Sequence, residues 1–363
     1  MDQQREVPVI DLSLAECNCD LLVTQIAQAC SSFGFFQIIN HGIDRELVEE
    51  FRSSGVSALS AKEGSCKRRS QENSRGYFDD ELTKQKRDWK QALDVGVPGS
   101  RTWSLPDDDP RNACLEGFNR FPKENPSFRT TLVEYFEQCE LLADRLANLM
   151  AKGVLSSTNE RDDQIVSDLK SKHTSYLRLN YYPACTKENE LGVSPHRDAG
   201  FLTILLQDDD CHSLQVWFEE MWHTVTPIPG ALTINTGDMA QIWSNGRYQA
   251  PLHRVLTNSS TSRFTAPFFY NPPYETYVQP VVSEPSSVNY HACLWGYFRA
   301  LRFAGDFSDL GTEIQVEDFH VSSHSLHRKR QERISHFLSW DEPFSVEKLQ
   351  ELLAEETLGG GNK

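Results

Sequence analysis

The segment SPHRDAGFLTILLQDDD places a histidine and an aspartate two positions apart, just before an apolar run. His196 and Asp198 would point to the same side of an extended chain, because side chains alternate along a strand. Together, an imidazole and a carboxylate can bind a divalent metal ion. A pair this short also arises by chance in a chain with 11 histidines, so its meaning depends on what accompanies it.

A metal site built on this pair needs a further ligand from a distant strand. Non-haem iron(II) sites that react with oxygen use two imidazoles and one carboxylate, and they leave the other coordination positions open. Two histidines downstream could supply the second imidazole, His223 and His253. His253 opens the predicted strand HRVLT, whereas a histidine beside a tryptophan, as at His223, is more often a packed residue. Residue spacing alone leaves both candidates open.

Two other predicted strands carry polar side chains that would face the same interior. In RFTAPFF, Arg263 and Thr265 share one face, and a guanidinium beside a hydroxyl suits the remote carboxylate of a dicarboxylate ligand. In YLRLNYYP, the same alternation puts Arg178, Asn180 and Tyr182 on one face. Unpaired polar groups in one interior would be costly. Their convergence therefore predicts a binding pocket.

The strands that must carry these residues lie between residues 174 and 280. Short runs rich in β-branched and aromatic residues alternate there with turns of Gly, Pro, Asn and Asp. Many short strands at this spacing are typical of an antiparallel sandwich or barrel. We therefore predict a fold that is mainly β, with helices added on either side.

Helices are predicted outside this block from the spacing of apolar residues. They are expected at 20–33 with Asp20 as N-cap, from Asp44 onward, at 125–153 between Asn125 and Gly153, and beyond residue 320. Residues 61–120 are charged and irregular, and a long irregular segment within a compact domain is usually functional or disordered. Its aromatic residues favour an ordered cover over part of the core: Tyr77, Phe78, Trp89 and Trp103.

Composition limits the class of partner. The 363 residues carry a formal net charge of −16, which argues against nucleic acid or an anionic membrane as the partner. No run approaches the roughly 18 apolar residues of a membrane span, and the segment MDQQREVPVIDLS lacks the apolar stretch of a signal peptide. The nine cysteines show neither disulfide-scaffold nor zinc-ligand spacing. We expect a cytoplasmic monomer with reduced thiols.

The order of the motifs resembles the plant-type iron(II)/2-oxoglutarate-dependent dioxygenases, the family that includes isopenicillin N synthase. The matching segments are VPVIDLS, FGFFQIINHGI, LRLNYYP, HRDAGFLTILLQDD, PGALTINTGDMAQIWSNGRYQAPLHRV and RFTAPFF, which span roughly residues 7 to 320. The resemblance implies a double-stranded β-helix, or jelly-roll, core braced by N-terminal and C-terminal helices. Residues 1–160 would then form an N-terminal region, 172–275 the core and 276–363 a C-terminal helical region, all within one compact unit.

The resemblance also implies which residues bind the cofactor and co-substrate. Fe(II) would be held by His196, Asp198 and His253. The distal carboxylate of 2-oxoglutarate would be bound by Arg263 and Thr265, with Tyr182 and Asn180 assisting. Thr265 stands where the family usually has serine, a change that keeps the hydroxyl group. His212 is predicted to be exposed in a turn and not to be a ligand.

The implied activity is the oxidation of a small organic metabolite, with O2 and 2-oxoglutarate as co-substrates and with succinate and CO2 released. Hydroxylation, desaturation and oxidative cyclisation are all compatible with the sequence. One alternative is an iron oxidase of the same fold that does not use 2-oxoglutarate, since such relatives also carry an Arg-x-Ser pair. Another is a non-catalytic small-molecule binding protein, which loss of an iron ligand would have favoured.

A substrate contact is predicted from what these assignments leave over. Asp198 and Arg263 are committed to iron and 2-oxoglutarate, so Arg178 has no assigned anionic partner, and a buried guanidinium requires one. We therefore expect Arg178 to contact a carboxylate of the substrate, with Trp103 closing over the apolar remainder. In the alternative, Arg178 pairs with an acidic residue of the irregular segment: Asp79, Asp80 or Glu81.

Overall fold

The computed structural model describes most of the chain, in the ranges 5–60, 68–83, 86–97, 115–122, 126–155, 164–187, 190–282, 285–306, 313–324, 326–334 and 343–359. Within these ranges the chain forms nine α-helices and sixteen β-strands. Trp103 and Asn125, to which the sequence assigned a substrate contact and a helix cap, lie outside the described residues.

The strands are short and concentrate in the middle of the chain. They are β1 (Val9–Asp11), β2 (Phe35–Ile39), β3 (Gly76–Phe78), β4 (Leu82–Thr83), β5 (Lys86–Arg87), β6 (Gln91–Gly96), β7 (Tyr176–Tyr182), β8 (Leu191–His196), β9 (Leu202–Gln207), β10 (Leu214–Phe218), β11 (Met221–Thr224), β12 (Leu232–Thr236), β13 (His253–Leu256), β14 (Arg263–Tyr270), β15 (Tyr277–Val278) and β16 (Cys293–Leu294).

The helices lie mainly before and after this block of strands. They are α1 (Leu14–Cys17), α2 (Cys19–Ser31), α3 (Arg45–Ser60), α4 (Pro126–Leu155), α5 (Gln164–Lys172), α6 (Asp238–Trp243), α7 (Trp295–Gly305), α8 (His327–Ile334) and α9 (Val346–Gly359). In the part of the chain that the structure describes, no helix combines the length and apolar character needed to cross a bilayer.

The strands from β7 to β14 form two four-stranded layers. One layer has the order β12-β9-β14-β7 and belongs to an eight-stranded sheet, and the other has the order β11-β10-β13-β8. Neighbouring strands within each layer are antiparallel. Apolar residues of both layers pack together, among them Val193 and Val255 with Tyr182 and Leu205. This is the double-stranded β-helix that the resemblance implied.

Helices α3 and α4 cover the outer face of the layer that contains β14, which belongs to the eight-stranded sheet. Phe136 on α4 meets Phe268 on β14 edge-on, with 5.0 Å between ring centroids. Phe51 on α3 stacks on Tyr135 at 4.2 Å and meets Phe264 on β14 at 6.3 Å. Strand β14 therefore has aromatic packing on its outer face, which fixes it while its inner face carries polar residues.

Two helix boundaries differ from the sequence prediction. Asn18, not Asp20, caps α2, and its side chain accepts a hydrogen bond from the N–H of Leu21. Helix α4 continues through Gly153, where a Cβ atom would lie 2.7 Å from the Tyr248 hydroxyl and 2.8 Å from the Ala27 Cβ. Glycine is required there because two neighbours approach closely, not because the helix ends.

The prediction of an irregular segment at 61–120 is wrong for part of that range. Strands β3 and β6 pair with each other, and β6 pairs with β7, so they extend the eight-stranded sheet. Beside them, the N–H of Trp89 donates to the carbonyl of Leu191 at 3.1 Å, and its indole N–H donates to that of Pro183 at 3.0 Å. This segment therefore covers the edge of β8, as its aromatic residues indicated.

The aromatic packing of α3 and α4 against β14 predicts a difference in stability between two substitutions by alanine. Phe51 is fully buried, so Phe51→Ala should lower the free energy of unfolding by about 3–5 kcal/mol. Leu141→Ala, at a position 68% exposed on α4, should change it by less than about 0.5 kcal/mol. Urea denaturation followed by circular dichroism measures both. Equal losses in the two variants would contradict the packing described.

Candidate active site

Three potential metal ligands meet at the ends of two paired strands. His196 is the last residue of β8 and lies directly opposite His253, the first residue of β13, with 4.2 Å between the ring centroids. Asp198 follows β8 by two residues, and its Oδ1 lies 3.7 Å from His196 Nε2 and 3.6 Å from His253 Nε2. In the described chain, these three residues form the one group of potential ligands that converges in this way.

Backbone carbonyls fix the orientation of both imidazoles. His196 Nδ1 donates to the carbonyl of Ser194 at 2.8 Å, and His253 Nδ1 donates to that of Pro251 at 3.1 Å. A carbonyl can only accept, so each ring carries a proton on Nδ1, and Nε2 is the ring nitrogen that lies near Asp198. An outer hydrogen bond of this kind is the usual partner of a metal-binding histidine.

Asp198 presents one oxygen to the histidines and commits the other to the protein. Its Oδ2 accepts hydrogen bonds from the Thr203 hydroxyl at 2.6 Å and from the Asn235 side-chain amide at 2.8 Å. Oδ1 is the atom that faces the two imidazoles. The carboxylate is therefore prepared to coordinate a metal through a single oxygen, and the sequence analysis missed the two residues that prepare it.

The protonation states suit a metal site. Burial, together with the nearby His253, lowers the pKa of His196 to about 3, so its imidazole is neutral. Burial alone would raise the pKa of Asp198, but the two histidines and the hydrogen bonds outweigh it and lower that pKa. Two imidazoles and one carboxylate form the donor set that non-haem Fe(II) requires. The residues fit the metal that the family resemblance implied.

The loop that carries Asp198 is held by the first turn of α6. The N–H groups of Asp238 and Met239 donate to the carbonyls of Asp198 and Gly200 at 2.8 and 3.1 Å. A Cβ atom at Gly237 would lie 2.2 Å from the Gly200 carbonyl oxygen. Because the two backbones touch, the position of the carboxylate depends on a residue without a side chain at 237.

A small inner cavity of about 80 Å³ lies between the two layers, next to the triad. The residues to which the sequence assigned 2-oxoglutarate all line it: Arg263, Thr265, Asn180 and Tyr182. Arg263 pairs with Tyr182, and Thr265 with Asn180, across β14 and β7. The Asn180 amide lies 3.3 Å from the Thr265 hydroxyl, and the Arg263 guanidinium lies 5.2 Å from the centre of the Tyr182 ring.

Arg263 keeps most of its hydrogen-bonding capacity unused. One Nη donates to the side-chain oxygen of Gln207 at 3.1 Å, a contact that the sequence analysis missed. The buried Nε and the other Nη have no hydrogen-bond partner among the described residues, and neither does the side-chain oxygen of Asn180. Buried donors on a charged group are costly unless a ligand satisfies them. The cavity therefore fits an anionic group such as a carboxylate.

A larger outer cavity of about 740 Å³ adjoins the inner one. Six residues line both cavities: Lys90, Arg178, Val193, His196, Asp198 and Phe269. His327 and Arg330 on α8 and Leu353 on α9 line the outer cavity as well. The C-terminal helices, whose role the sequence left unassigned, therefore form part of its wall.

Arg178 lines both cavities, but its guanidinium is already paired. Nε and one Nη donate to the two oxygens of Asp94 at 2.7 and 2.9 Å, and the other Nη donates to Glu81 at 3.1 Å. The premise that Arg178 lacks an anionic partner in the protein is therefore wrong. Glu81 was among the partners named in the alternative, whereas Asp79 and Asp80 pair with Arg68.

Lys90 is a further buried charge that the sequence analysis missed. Its ammonium group lies 2.8 Å from Asp88 and 2.5 Å from Glu81. Asp88 in turn accepts a hydrogen bond from the N–H of Ser194 at 3.3 Å, on the strand that ends in His196. This ionic cluster ties the segment before β6 to the metal-binding strand.

The remaining histidine candidates lie outside the triad. His223 is buried, and its ring bonds to the N–H of Arg5 at 3.1 Å and to the Phe218 carbonyl at 3.1 Å. His212 is exposed. Of the two histidines that spacing left open, the structure brings only His253 to His196 and Asp198.

Removal of any one triad ligand should abolish metal retention. His196→Ala, Asp198→Ala and His253→Ala should each weaken Fe(II) binding by more than about 100-fold, because even outer partners of ligands are worth about 10- to 100-fold. Metal content after anaerobic desalting measures this. His212→Ala is the matched control and should retain one iron per chain. Iron retained in His253→Ala but lost in His223→Ala would contradict the assignment.

The contact between the two glycine backbones predicts a second effect on metal binding. Gly237→Ala should force the Asp198 loop away and lower both iron affinity and stability, by about 1–3 kcal/mol for stability. Gly305→Ala adds the same methyl group where no atom lies within 4 Å, so its iron affinity should match the wild type. Anaerobic titration with Fe(II) and thermal denaturation test both variants. Unchanged iron affinity in Gly237→Ala would contradict the role given to this contact.

Two family models match the chain. The 2OG-Fe(II) oxygenase superfamily matches residues 173–272, and an N-terminal family described as "non-haem dioxygenase in morphine synthesis N-terminal" matches residues 7–124. Jasmonate-induced oxygenase 2 of Arabidopsis thaliana is 33% identical over 300 residues, which cover 78% of this chain and 74% of that protein. Gibberellin 2-beta-dioxygenase 8 of the same plant is 32% identical over 299 residues, which cover 79% of this chain and 80% of that protein.

Solved structures show the same fold. The crystal structure of JOX2 in complex with 2OG, Fe, and JA matches with a TM-score of 0.70 and 29% identity, over 81% of this chain and 84% of that chain. Dioxygenase for auxin oxidation 1 from Arabidopsis thaliana, in its binary complex with 2-oxoglutarate, matches with a TM-score of 0.60 and 27% identity. The match covers 78% of this chain and 97% of that chain. The chain therefore belongs to the 2OG-Fe(II) oxygenase superfamily, within the plant-type 2-oxoglutarate-dependent dioxygenases.

Proposed function

We propose that this dioxygenase holds Fe(II) through His196, Asp198 and His253 and binds 2-oxoglutarate in the inner cavity. The co-substrate would contact Arg263, Thr265, Asn180 and Tyr182. The observation that carries the proposal is the combination of three converging ligand atoms with a guanidinium, buried next to them, that keeps two donors without a partner among the described residues.

Iron, when bound, supplies the redox chemistry by which the family couples substrate oxidation to the conversion of 2-oxoglutarate and O2 into succinate and CO2. The residues of this chain provide position and charge. Asp198 stays ionised while His196 stays neutral, and the carbonyls of Ser194 and Pro251 hold the two imidazoles in place. The task of these residues is therefore to hold the reactants.

The inner cavity also restricts where 2-oxoglutarate can lie. Arg263 and Thr265 line it together with the triad, while Leu205 and Val255 form an apolar part of its wall. A dicarboxylate whose remote carboxylate meets the guanidinium would direct its other end at the triad, which lines the same cavity. The fork of the guanidinium matches a carboxylate in two contacts, so orientation as well as affinity follows from this residue.

The substrate would occupy the outer cavity, which His196 and Asp198 also line. The volume of about 740 Å³ is within the range of cavities that enclose a small organic molecule. The relatives named for jasmonate and gibberellin support a small organic metabolite as the substrate. We propose hydroxylation as the default outcome, in specialised metabolism.

The cellular setting belongs to the same proposal. The cysteines among the described residues are free thiols: Cys17, Cys19, Cys30, Cys139, Cys185, Cys211 and Cys293. Reduced thiols are typical of the cytoplasm, and we propose that compartment. We also propose that residues 1–160, 172–275 and 276–363 act as the N-terminal region, the catalytic core and the C-terminal wall.

Loss of the Arg263 guanidinium should raise the 2-oxoglutarate requirement far more than the iron requirement. Truncation of one partner of a buried charged pair costs about 2–5 kcal/mol, so Arg263→Ala should raise the KM for 2-oxoglutarate by about 30-fold or more. Arg263→Lys should restore only part of the affinity for 2-oxoglutarate, because an ammonium group lacks the planar, two-pronged geometry of a guanidinium. The measurement is succinate formation at varied 2-oxoglutarate concentration, with iron affinity determined separately.

Arg254→Ala is the matched control for this experiment. Arg254 precedes Val255 on β13, and its guanidinium lies over the Trp222 ring at 4.1 Å and bonds to Gln215, away from the inner cavity. Its KM for 2-oxoglutarate should stay at the wild-type value. An unchanged KM in Arg263→Ala, or succinate formation from none of the variants including the wild type, would favour an oxidase that does not use 2-oxoglutarate.

A further inference from the structure

The outer cavity contains more cationic than anionic side chains. Six cationic residues line it: Lys90, Arg178, Arg197, Arg299, Arg302 and Arg330. Four carboxylates line it: Glu81, Asp198, Asp306 and Glu313. One of these carboxylates is the proposed iron ligand, so the cavity has an excess of positive charge over the anions that remain.

Most of these cations are engaged by the protein. Lys90 and Arg178 share Glu81 and also pair with Asp88 and Asp94. Arg302 pairs with the fully buried Asp238 at 3.2 Å and with Glu313. Arg197 donates to the carbonyl of Ala250 at 2.9 Å. Asp306 is likewise occupied, since it lies 3.2 Å from Arg69.

Arg299 differs from these residues. It lies on α7, and its guanidinium contacts two aromatic rings, Tyr176 at 5.4 Å and Phe303 at 5.6 Å from their centres. It makes no hydrogen bond and no ion pair with any residue that the structure describes. The ring of Tyr176 is also approached by Arg178 at 5.9 Å, but that guanidinium is saturated by Asp94 and Glu81. Arg299 is thus held in position by ring contacts while its donors stay available.

Apolar side chains line the same cavity beside its charged residues. They include Val193, Phe269, Trp295, Leu301 and Ile314, and Trp295 lies four residues before Arg299 on α7. A ligand that fills it would bury hydrocarbon against these side chains and would need an anion where Arg299 lies. A partly desolvated guanidinium gains much more from a carboxylate than from a neutral amide, because the contact is charge-assisted and bidentate.

We propose that Arg299 binds the carboxylate of the primary substrate, which is an otherwise apolar organic acid. This inference rests on the proposed function, because it places the substrate in the cavity that adjoins the iron site. It replaces Arg178 by Arg299 as the residue that selects an acid. Arg178 then has a structural part, in the ionic cluster that joins β6 to β7.

The test compares apolar acids with their neutral primary amides on the anaerobic protein loaded with Fe(II) and 2-oxoglutarate. The probes are naphthylacetate with naphthylacetamide and decanoate with decanamide, and binding is measured by titration calorimetry. The wild type should bind at least one acid about tenfold or more tightly than its amide, a difference of about 1.4 kcal/mol. Arg299→Gln should bring the acid to the affinity of the amide and leave the amide unchanged.

Two further variants separate recognition from a general loss of structure. Arg299→Lys should keep part of the preference for the acid, since it retains the charge without the fork. Arg45→Gln, which removes a guanidinium that is 89% exposed on α3, should behave as the wild type. If Arg299→Gln does not fold, the wild-type preference and Arg299→Lys still decide the matter. Equal binding of acid and amide, no binding of any acid, or a preference that survives in Arg299→Gln would overturn the proposal.

The binding of 2-oxoglutarate in the same proteins distinguishes this inference from the proposed function. Anaerobic titration should give the same 2-oxoglutarate affinity for the wild type and Arg299→Gln. If the wild type failed to bind 2-oxoglutarate, the proposed function would fail whatever the acids did. If it bound 2-oxoglutarate normally but showed no preference for an acid, only the assignment of Arg299 would fail.

Discussion

The register between β8 and β13 is the constraint on which the active site depends. His196 and His253 come from segments far apart in the chain, and they face each other because β8 and β13 pair antiparallel with these two residues opposite each other, beside two irregularities in the register. A shift of one residue would turn an imidazole to the opposite face of the layer. The alignment is supported by β10 on the other side of β13 and by the bond from Ser194 to Asp88. The geometry of the site therefore depends on the pairing of several strands of the sheet.

A second constraint acts on charge in the interior. Buried ions need partners, and across most of this structure they have them, as Arg178 does with Asp94 and Glu81. Arg263 departs from that rule, because its guanidinium has no carboxylate partner among the described residues and bonds only to the neutral side chain of Gln207. Arg263 and Arg299 are therefore the arginines to which we assign small-molecule ligands.

The alternation of side chains along a strand made much of the site predictable. Arg263 and Thr265 stand two apart on β14, and Asp198 stands two residues after His196, the last residue of β8. Alternation along a strand predicted that each pair would face one interior, and both pairs line the inner cavity. The second histidine needed the family resemblance, because spacing could not distinguish His223 from His253. The fold class followed in the same way, from the density of short strands between turns.

Long-range contacts explain what the sequence could not show. The partners of Arg178 lie on β6 and just before β4, in a segment whose pattern looked irregular. No local sequence pattern distinguishes Arg299 from other arginines. Its assignment to a substrate carboxylate depends on the absence of a hydrogen-bond or ion-pair partner among the residues described around it. Gly153 looked like a helix end but serves the approach of α2 and Tyr248. In each case the deciding neighbour is distant in sequence.

The walls of the two cavities come from different parts of the chain. The inner cavity is built almost entirely by the strands of the jelly roll, whereas α7, α8 and α9 supply much of the outer wall. Substitutions in these helices would therefore reshape the space for a substrate while leaving unchanged most of the strands to which we assign iron and 2-oxoglutarate. Substrate choice and the binding of iron would then depend on largely different sets of residues.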